Sequence, residues 1–287
     1  MLIQHIINGL LLGGVYATIG IGFSLVYGVM SIINLAHGSL IMLGAYVTYV
    51  LFQQFGIDPF VTVPVSFMAM FALGFFIQKY ITNCIIKWGL FMTVVLTFGF
   101  DLVFINTAML IWNSNFRGVV PSYSGAGLEL GIIVIPYIRL AIFIVSIALT
   151  WLLYQFLNHT RTGQAIRATA LNREASQLVG VDINIIFAVT FGIGAGFAGA
   201  AGGLFSMIFP ITPFMGVPFL GKAFAVAVLG GLGNINGAIV GGLVLGLAEA
   251  LGAAAFGTGF QQGIGFMILL LVLVFRPKGI IGKQFFG

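Results

Sequence analysis

The chain has 287 residues and a formal charge of +5, yet only 6% of its residues are charged and 60% are apolar. A soluble domain carries about 25% charged residues; so few charges cannot cover a water-facing surface, which excludes a water-soluble fold. The basic residues sit at the ends of apolar runs, so the positive excess reads as membrane topology and not as a nucleic-acid surface.

Stretches free of Asp, Glu, Lys, Arg and His cover 6–36, 59–78, 140–158, 183–221, 223–248 and 250–275. About 20 apolar residues cross a ~30 Å hydrocarbon core as a helix. The chain therefore reads as an all-α, polytopic integral membrane protein, one domain over 1–287 with about eight to nine transmembrane or re-entrant helices. In chain order they are expected at 4–29, 36–54, 59–79, 89–112, 137–157, 184–208, 220–233, 237–256 and 259–275. The first reads as a retained span, since no basic n-region of a signal peptide precedes it. Cys84 is alone, so no internal disulfide is expected.

Basic residues orient the spans. Lys79 and Lys87, then His159, Arg161, Arg167 and Arg173, and finally Arg276, Lys278 and Lys283 mark three cytoplasmic segments. The segment 113–136 holds Pro121, Ser122, Ser124, Gly125 and Gly127, which are turn formers, and falls outside. The stretch with Pro210, Pro213 and Pro218 falls outside too. The segment 222–233 is short for a span; it either crosses, which is preferred, or forms a re-entrant half-helix. Crossing puts the C-terminus inside and the N-terminus outside. No internal repeat is evident.

The polar segment 161–182 reads RTGQAIRATALNREASQLVGVD. Asn172 suits an N-cap, Glu174 sits in the first turn where the helix dipole favours an anion, and Gly180 is a stop. The result is a two-turn helix, with small Ala175 and Ser176 permitting close approach. It suits docking into a partner's groove, or it belongs to a basic loop that only fixes topology.

Four stretches carry a resemblance. Glu174-Ala175 with Gly180 six residues after the Glu is similar to the Glu-Ala-Ala-type loop of ABC importer permeases. Asn34-Leu35-Ala36-His37-Gly38 with Gly44-Ala45-Tyr46, Arg161-Thr162-Gly163 with Arg167-Ala168, and Lys222-Ala223-Phe224 through 228–234 to Gly237 resemble branched-chain amino-acid permeases of the LivH type. The resemblance covers the whole chain. A single Ala follows Glu174, with Ser176 next, which departs from the older importer pattern. The resemblance implies a cytoplasmic coupling loop at about 158–183, in which Arg173, Glu174, Ala175, Ser176 and Gly180 meet an ATPase. It also implies a second, homologous permease chain, two ATP-binding subunits, an extracytoplasmic substrate-binding protein and a place in the bacterial inner membrane. Relatives of this type carry branched-chain or other neutral amino acids, or urea and short amides.

Gly194-x-Gly196-x-x-Gly199 nominally matches a dinucleotide fingerprint, but it lies in a membrane-length apolar segment with no preceding strand. Gly192/Gly196, Gly199/Gly203, Gly237/Gly241 and Gly242/Gly246 are spaced by four and read as helix-packing pairs. Asn34, His37, Asp101, Lys222, Asn234, Asn236 and Glu249 are the pathway or gating candidates. Asp101 and Glu249 lie at membrane depth, where a charge costs ~2.5–3.5 kcal/mol on insertion scales and so faces protein or water. Lys222 either pairs with an acid or snorkels to the interface. His37 follows Asn34 by three and shares its face if the helix starts that early; near a membrane end it reads first as hydrogen-bonded structure. Asn234 and Asn236 have turn chemistry. No catalytic set, metal site, cofactor site or phosphate loop is legible, so ATP hydrolysis is expected in a partner. The rival readings are an ion-coupled secondary transporter and a passive channel.

Overall fold

A computed structural model describes residues 2–130, 133–276 and 278–281. Eight helices in it are long and apolar enough to cross a membrane, and Gly216–Gly230 is a shorter apolar one. In order the elements are α1 (Leu2–Met30), α2 (His37–Phe55), α3 (Pro59–Ile77), a π turn (Gln78–Thr82), α4 (Asn83–Ile85), a 3-10 turn (Ile86–Trp88), α5 (Leu90–Trp112), β1 (Gly127–Leu130), β2 (Ile133–Pro136), α6 (Tyr137–His159), α7 (Arg161–Leu171), α8 (Arg173–Leu178), α9 (Ile183–Phe205), α10 (Gly216–Gly230), α11 (Ile235–Phe256), a 3-10 turn (Thr258–Phe260) and α12 (Gln261–Phe275).

α1 and α9 are apolar all round and almost wholly buried, so they form the centre. α5, α6 and α12 show most of their surface. Glycine sets how closely the central helices approach. A Cβ at Gly246 of α11 would lie 2.5 Å from the Gly9 oxygen of α1, and one at Gly199 of α9 would lie 2.6 Å from the Ser66 oxygen of α3. Backbones this close gain dispersion contacts that larger side chains would block, a main source of helix adhesion in lipid.

The bundle has two distinct ends. At the basic end, Gly28–Ile32 of α1 and its exit, Ile86–Thr93 and Thr169–Arg173 surround one cavity. Gly28 also abuts Gly233, and Asn234 Nδ2 donates to the Ile281 oxygen at 3.3 Å. At the opposite end, Gln4 Nε2 donates to the Val134 oxygen at 2.7 Å and the Tyr123 hydroxyl to Asp58 at 2.8 Å. Burial, then Asp58, push the Tyr123 pKa up, so this hydroxyl remains the donor.

Three elements differ from the sequence expectations. The turn-rich segment 113–136 contains an antiparallel hairpin, with Gly127 paired to Pro136 and Leu128 to Ile135. The stretch before the expected docking helix is itself a helix, α7, whose Thr160 cap accepts from Gly163 N at 3.0 Å. Third, α2 does not start at the basic end. Ser31 turns the chain with φ 55°, and 31–36 runs back beside α1 without helical structure. Thr97 of α5 serves this segment's backbone, accepting from Leu35 N at 3.2 Å and lying 3.4 Å from the Ile33 oxygen. Such service is what buried non-helical backbone at membrane depth requires. α10 is 15 residues, about 22 Å at 1.5 Å per residue, and runs from a contact with Gly38 to the turn at the basic end. Lys283 lies outside the described residues.

Candidate functional site

The segment expected to dock stands at the basic end. Asn172 Oδ1 accepts from Ala175 N at 3.0 Å, and Ser176 Oγ donates to the Asn172 oxygen at 2.8 Å. This fixes the first turn of α8. Glu174 and Ala175 are exposed, whereas Ser176 is buried. Gly180 ends the helix at φ 86°, a conformation that any L side chain would strain. Arg173 turns inward: its Nη2 donates to the Met30 oxygen at 2.6 Å, and its guanidinium lies 4.8 Å from the Phe187 ring centre. A cation on the last carbonyls of α1 satisfies groups that the helix cannot pair and complements its dipole. Burial lowers the Arg173 pKa, yet a guanidinium keeps its proton.

Sequence reading missed the apolar tip of this segment. Leu178 is 88% exposed and Val179 79% exposed. Two adjacent apolar side chains bared beside a capped helix form a small contact surface. Their signal was the Leu-Val pair immediately before Gly180, inside an otherwise polar stretch.

A second cluster lies within the bundle. Lys222 Nζ of α10 is 2.8 Å from Glu249 Oε2 of α11, and both side chains are buried. The same oxygen accepts from the Tyr16 hydroxyl of α1 at 2.7 Å and from Gln261 Nε2 of α12 at 3.2 Å. Lys222 also donates to the Tyr16 hydroxyl. Gly265 of α12 leaves room for the other carboxylate oxygen: a Cβ there would lie 2.9 Å from Oε1. The sequence singled out Lys222 and Glu249 separately. Tyr16 and Gln261 carried no signal, because their role depends on how four helices meet.

The other candidates do not join this cluster. His37 is fully buried at mid-bundle, its Nε2 3.1 Å from the Ile19 oxygen and its ring edge-on to Phe23. It is not near a membrane end, because 31–36 carries it inward. Asn34 precedes α2 and so does not share a helical face with His37. Its side-chain amide is buried without a partner. Asp101 is the middle of α5, and its carboxylate lies against the Ser39 hydroxyl and amide. Asn234 caps α11, accepting from Gly237 N at 3.0 Å, and Asn236 lies exposed at the rim of a groove with Trp151 and Tyr154.

The eight spaced glycines all face neighbours. Gly192 and Gly196 meet Phe71 and Phe67, Gly199 and Gly203 meet Ser66 and Thr48, Gly237 and Gly241 meet α10, and Gly242 and Gly246 meet α1.

Residues 5–275 match the family model for the branched-chain amino acid transport system permease component. The chain is 35% identical to the high-affinity branched-chain amino acid transport system permease protein BraD of Pseudomonas aeruginosa, over 98% of this chain and 96% of that one. It is 32% identical to LivH of Escherichia coli, of the same description, with the same coverage. The ribose import permease protein RbsC of Escherichia coli is 26% identical over 96% of this chain and 86% of its own. No solved structure matches the chain. With apolar helices throughout and a family match over nearly its full length, the chain is a multi-pass membrane permease and belongs to the branched-chain amino acid transport system permease family.

Proposed function

We propose that the chain is the translocation subunit of an ABC importer for branched-chain or related neutral amino acids, driven through α8 by a separate ATPase. The observation that carries the coupling is Arg173: one residue of a capped, exposed helix grips the Met30 carbonyl at the end of α1. A push on α8 then acts on α1, a rod of 29 residues and about 43 Å. Tyr16, halfway along that rod, is bonded to Glu249, so α1 links the docking face to the α10–α11 pair. The basic end is the cytoplasmic side, on the positive-inside rule.

The partners are a second homologous permease, two ATP-binding subunits at the basic end and an extracytoplasmic binding protein at the hairpin end, in a bacterial inner membrane. ATP binding and hydrolysis change the populations of inward- and outward-open states. The curated relatives named for branched-chain amino acids support the substrate class. The test is purification from the native membrane with its partners. An accompanying ATPase stimulated by leucine-loaded binding protein is the expected result. Stimulation by urea-loaded protein alone would move the chain to an amide carrier, and the absence of any ATPase would reject the importer.

A further inference from the structure

We propose that Asp101 receives the α-ammonium group of an amino-acid substrate midway across the bundle, an assignment that rests on the importer reading above. Asp101 is at the centre of α5, a 23-residue apolar helix. Among the described residues the ion pair is Lys222–Glu249, and Asp101 faces no cation. A carboxylate at that depth is costly unless protein, water or a ligand meets it. Glu249 has its lysine; Asp101 has only the start of α2.

That start orients it. The non-helical segment 31–36 brings the first turn of α2 to mid-bundle, and Ala36 offers no side-chain cap. Asp101 lies against the Ser39 amide and hydroxyl instead. A helix N-terminus favours an anion, so this contact gives the Asp101 side chain a fixed direction. α5 turns Thr93, Thr97, Ile105 and Ala108 to the bundle and leaves Phe98, Leu102 and Val103 exposed. Asp101 lies at the margin between the two and is only partly covered.

The chemistry selects the ligand class. Urea, short amides and sugars carry no fixed positive charge, whereas an amino acid carries an ammonium at neutral pH. The half-buried Ile33 and Leu35, bound to Thr97 one turn from Asp101, supply apolar surface for an aliphatic side chain. Asn34, between them, holds an amide with neither polar atom partnered.

The experiment uses the assembled transporter in vesicles at saturating leucine-loaded binding protein. Asp101→Asn keeps the shape and removes the charge. It should lower maximal leucine uptake about tenfold or more, with stimulated ATP hydrolysis and melting temperature near wild type. Asp101→Glu should recover much of the uptake. Leucine uptake by Asp101→Asn within about twofold of wild type overturns the assignment. Ser39→Ala is the control for a capping role. If it and Asp101→Asn lose stability and uptake together, and Asp101→Glu recovers neither, Asp101 is a cap alone and the assignment is overturned. Failure of the importer reading shows in the wild type, as absent ATPase or absent leucine uptake, and removes the assignment with it. Failure of the assignment alone shows only in the variants.

Discussion

Lys222 and Glu249 are 27 positions apart in the chain and 2.8 Å apart across the α10–α11 pair. The pair cancels its own charge inside a bundle where neither ion would be tolerated alone. Tyr16 and Gln261 add hydrogen bonds to the same carboxylate oxygen, so α1, α10, α11 and α12 converge on one atom. The desolvation of two buried ions offsets much of their attraction. The pair is therefore better understood as fixing which helices meet than as a large net stabiliser.

Breaking that pair from one side should be expensive. Lys222→Met takes the counter-ion from a buried Glu249, a loss of about 3–5 kcal/mol for a buried pair. Glu249→Leu should cost a similar amount, because the lysine then lacks its counter-ion and the tyrosine hydroxyl its acceptor. Glu249→Gln keeps an acceptor for Tyr16 and should be milder. The double variant Lys222→Met with Glu249→Leu removes both charges and should recover much of the loss. Melting temperatures of the four proteins in one detergent form the cycle. Additive losses in the double variant would mean that the two residues do not interact energetically.

The proposed docking helix, α8, should fail in two separable ways. Leu178→Asp with Val179→Asp changes only the exposed tip, so insertion and melting temperature should hold while stimulated ATP hydrolysis falls to its basal rate. Arg173→Ala keeps the tip and releases α1. It should leave the ATPase bound but unresponsive to loaded binding protein. Retained stimulation in Arg173→Ala would remove α1 from the coupling route. Gly180→Leu imposes a left-handed conformation on a bulky residue, about 1–2 kcal/mol of strain, and should loosen α8 itself.

Most of the helices were legible because membrane spans follow composition. The expected 89–112 and 137–157 differ from α5 and α6 by one or two residues. The cap at Asn172 was legible for a local reason: its side chain bonds three residues ahead. What failed was long-range. The segment 31–35 falls between the expected spans 4–29 and 36–54 and reads as a plain connection, yet it runs back into the bundle, where its partner Thr97 is more than 60 residues away. α7 was hidden because its Thr160-x-x-Gly163 start lacks the acidic first turn that marks α8. Lys222 and Glu249 were visible as candidates, but nothing local says that they touch.

Glycines on the central helices should divide sharply by what they face. A Cβ at Gly242 would lie 2.6 Å from the Ala17 Cα, and one at Gly196 would lie 2.9 Å from the Phe67 ring. Gly242→Leu must push backbone against backbone, and Gly196→Leu displaces a ring that can turn. Both overpack, at about 1–3 kcal/mol, with Gly242 the worse. Gly99 of α5 has nothing within 4 Å, so Gly99→Ala should be neutral or raise helix stability by up to about 1 kcal/mol. Thermal unfolding of the three variants checks the order. Equal melting temperatures for Gly242→Leu and Gly99→Ala would contradict the close α1–α11 approach.

The two ends of the bundle also make a prediction about sidedness. Lys79, Lys87, Arg161, Arg167, Arg173 and Lys278 cluster at the end where α1 finishes, whereas Arg117 and Arg139 belong to the hairpin end. Lysine and arginine are retained on the cytoplasmic side during insertion. Arg167 and Ser124 are exposed at opposite ends, and Cys84, the chain's one thiol, is exposed at the basic end. In a Cys84→Ser background, Ser124→Cys should therefore react with an impermeant maleimide added to intact cells. Arg167→Cys should react only after the membrane is opened. The two sites are read in the same cells, so a reversed pattern cannot be blamed on poor expression. It would put α8 outside, away from any ATPase, and the coupling role of Arg173 would fall with it.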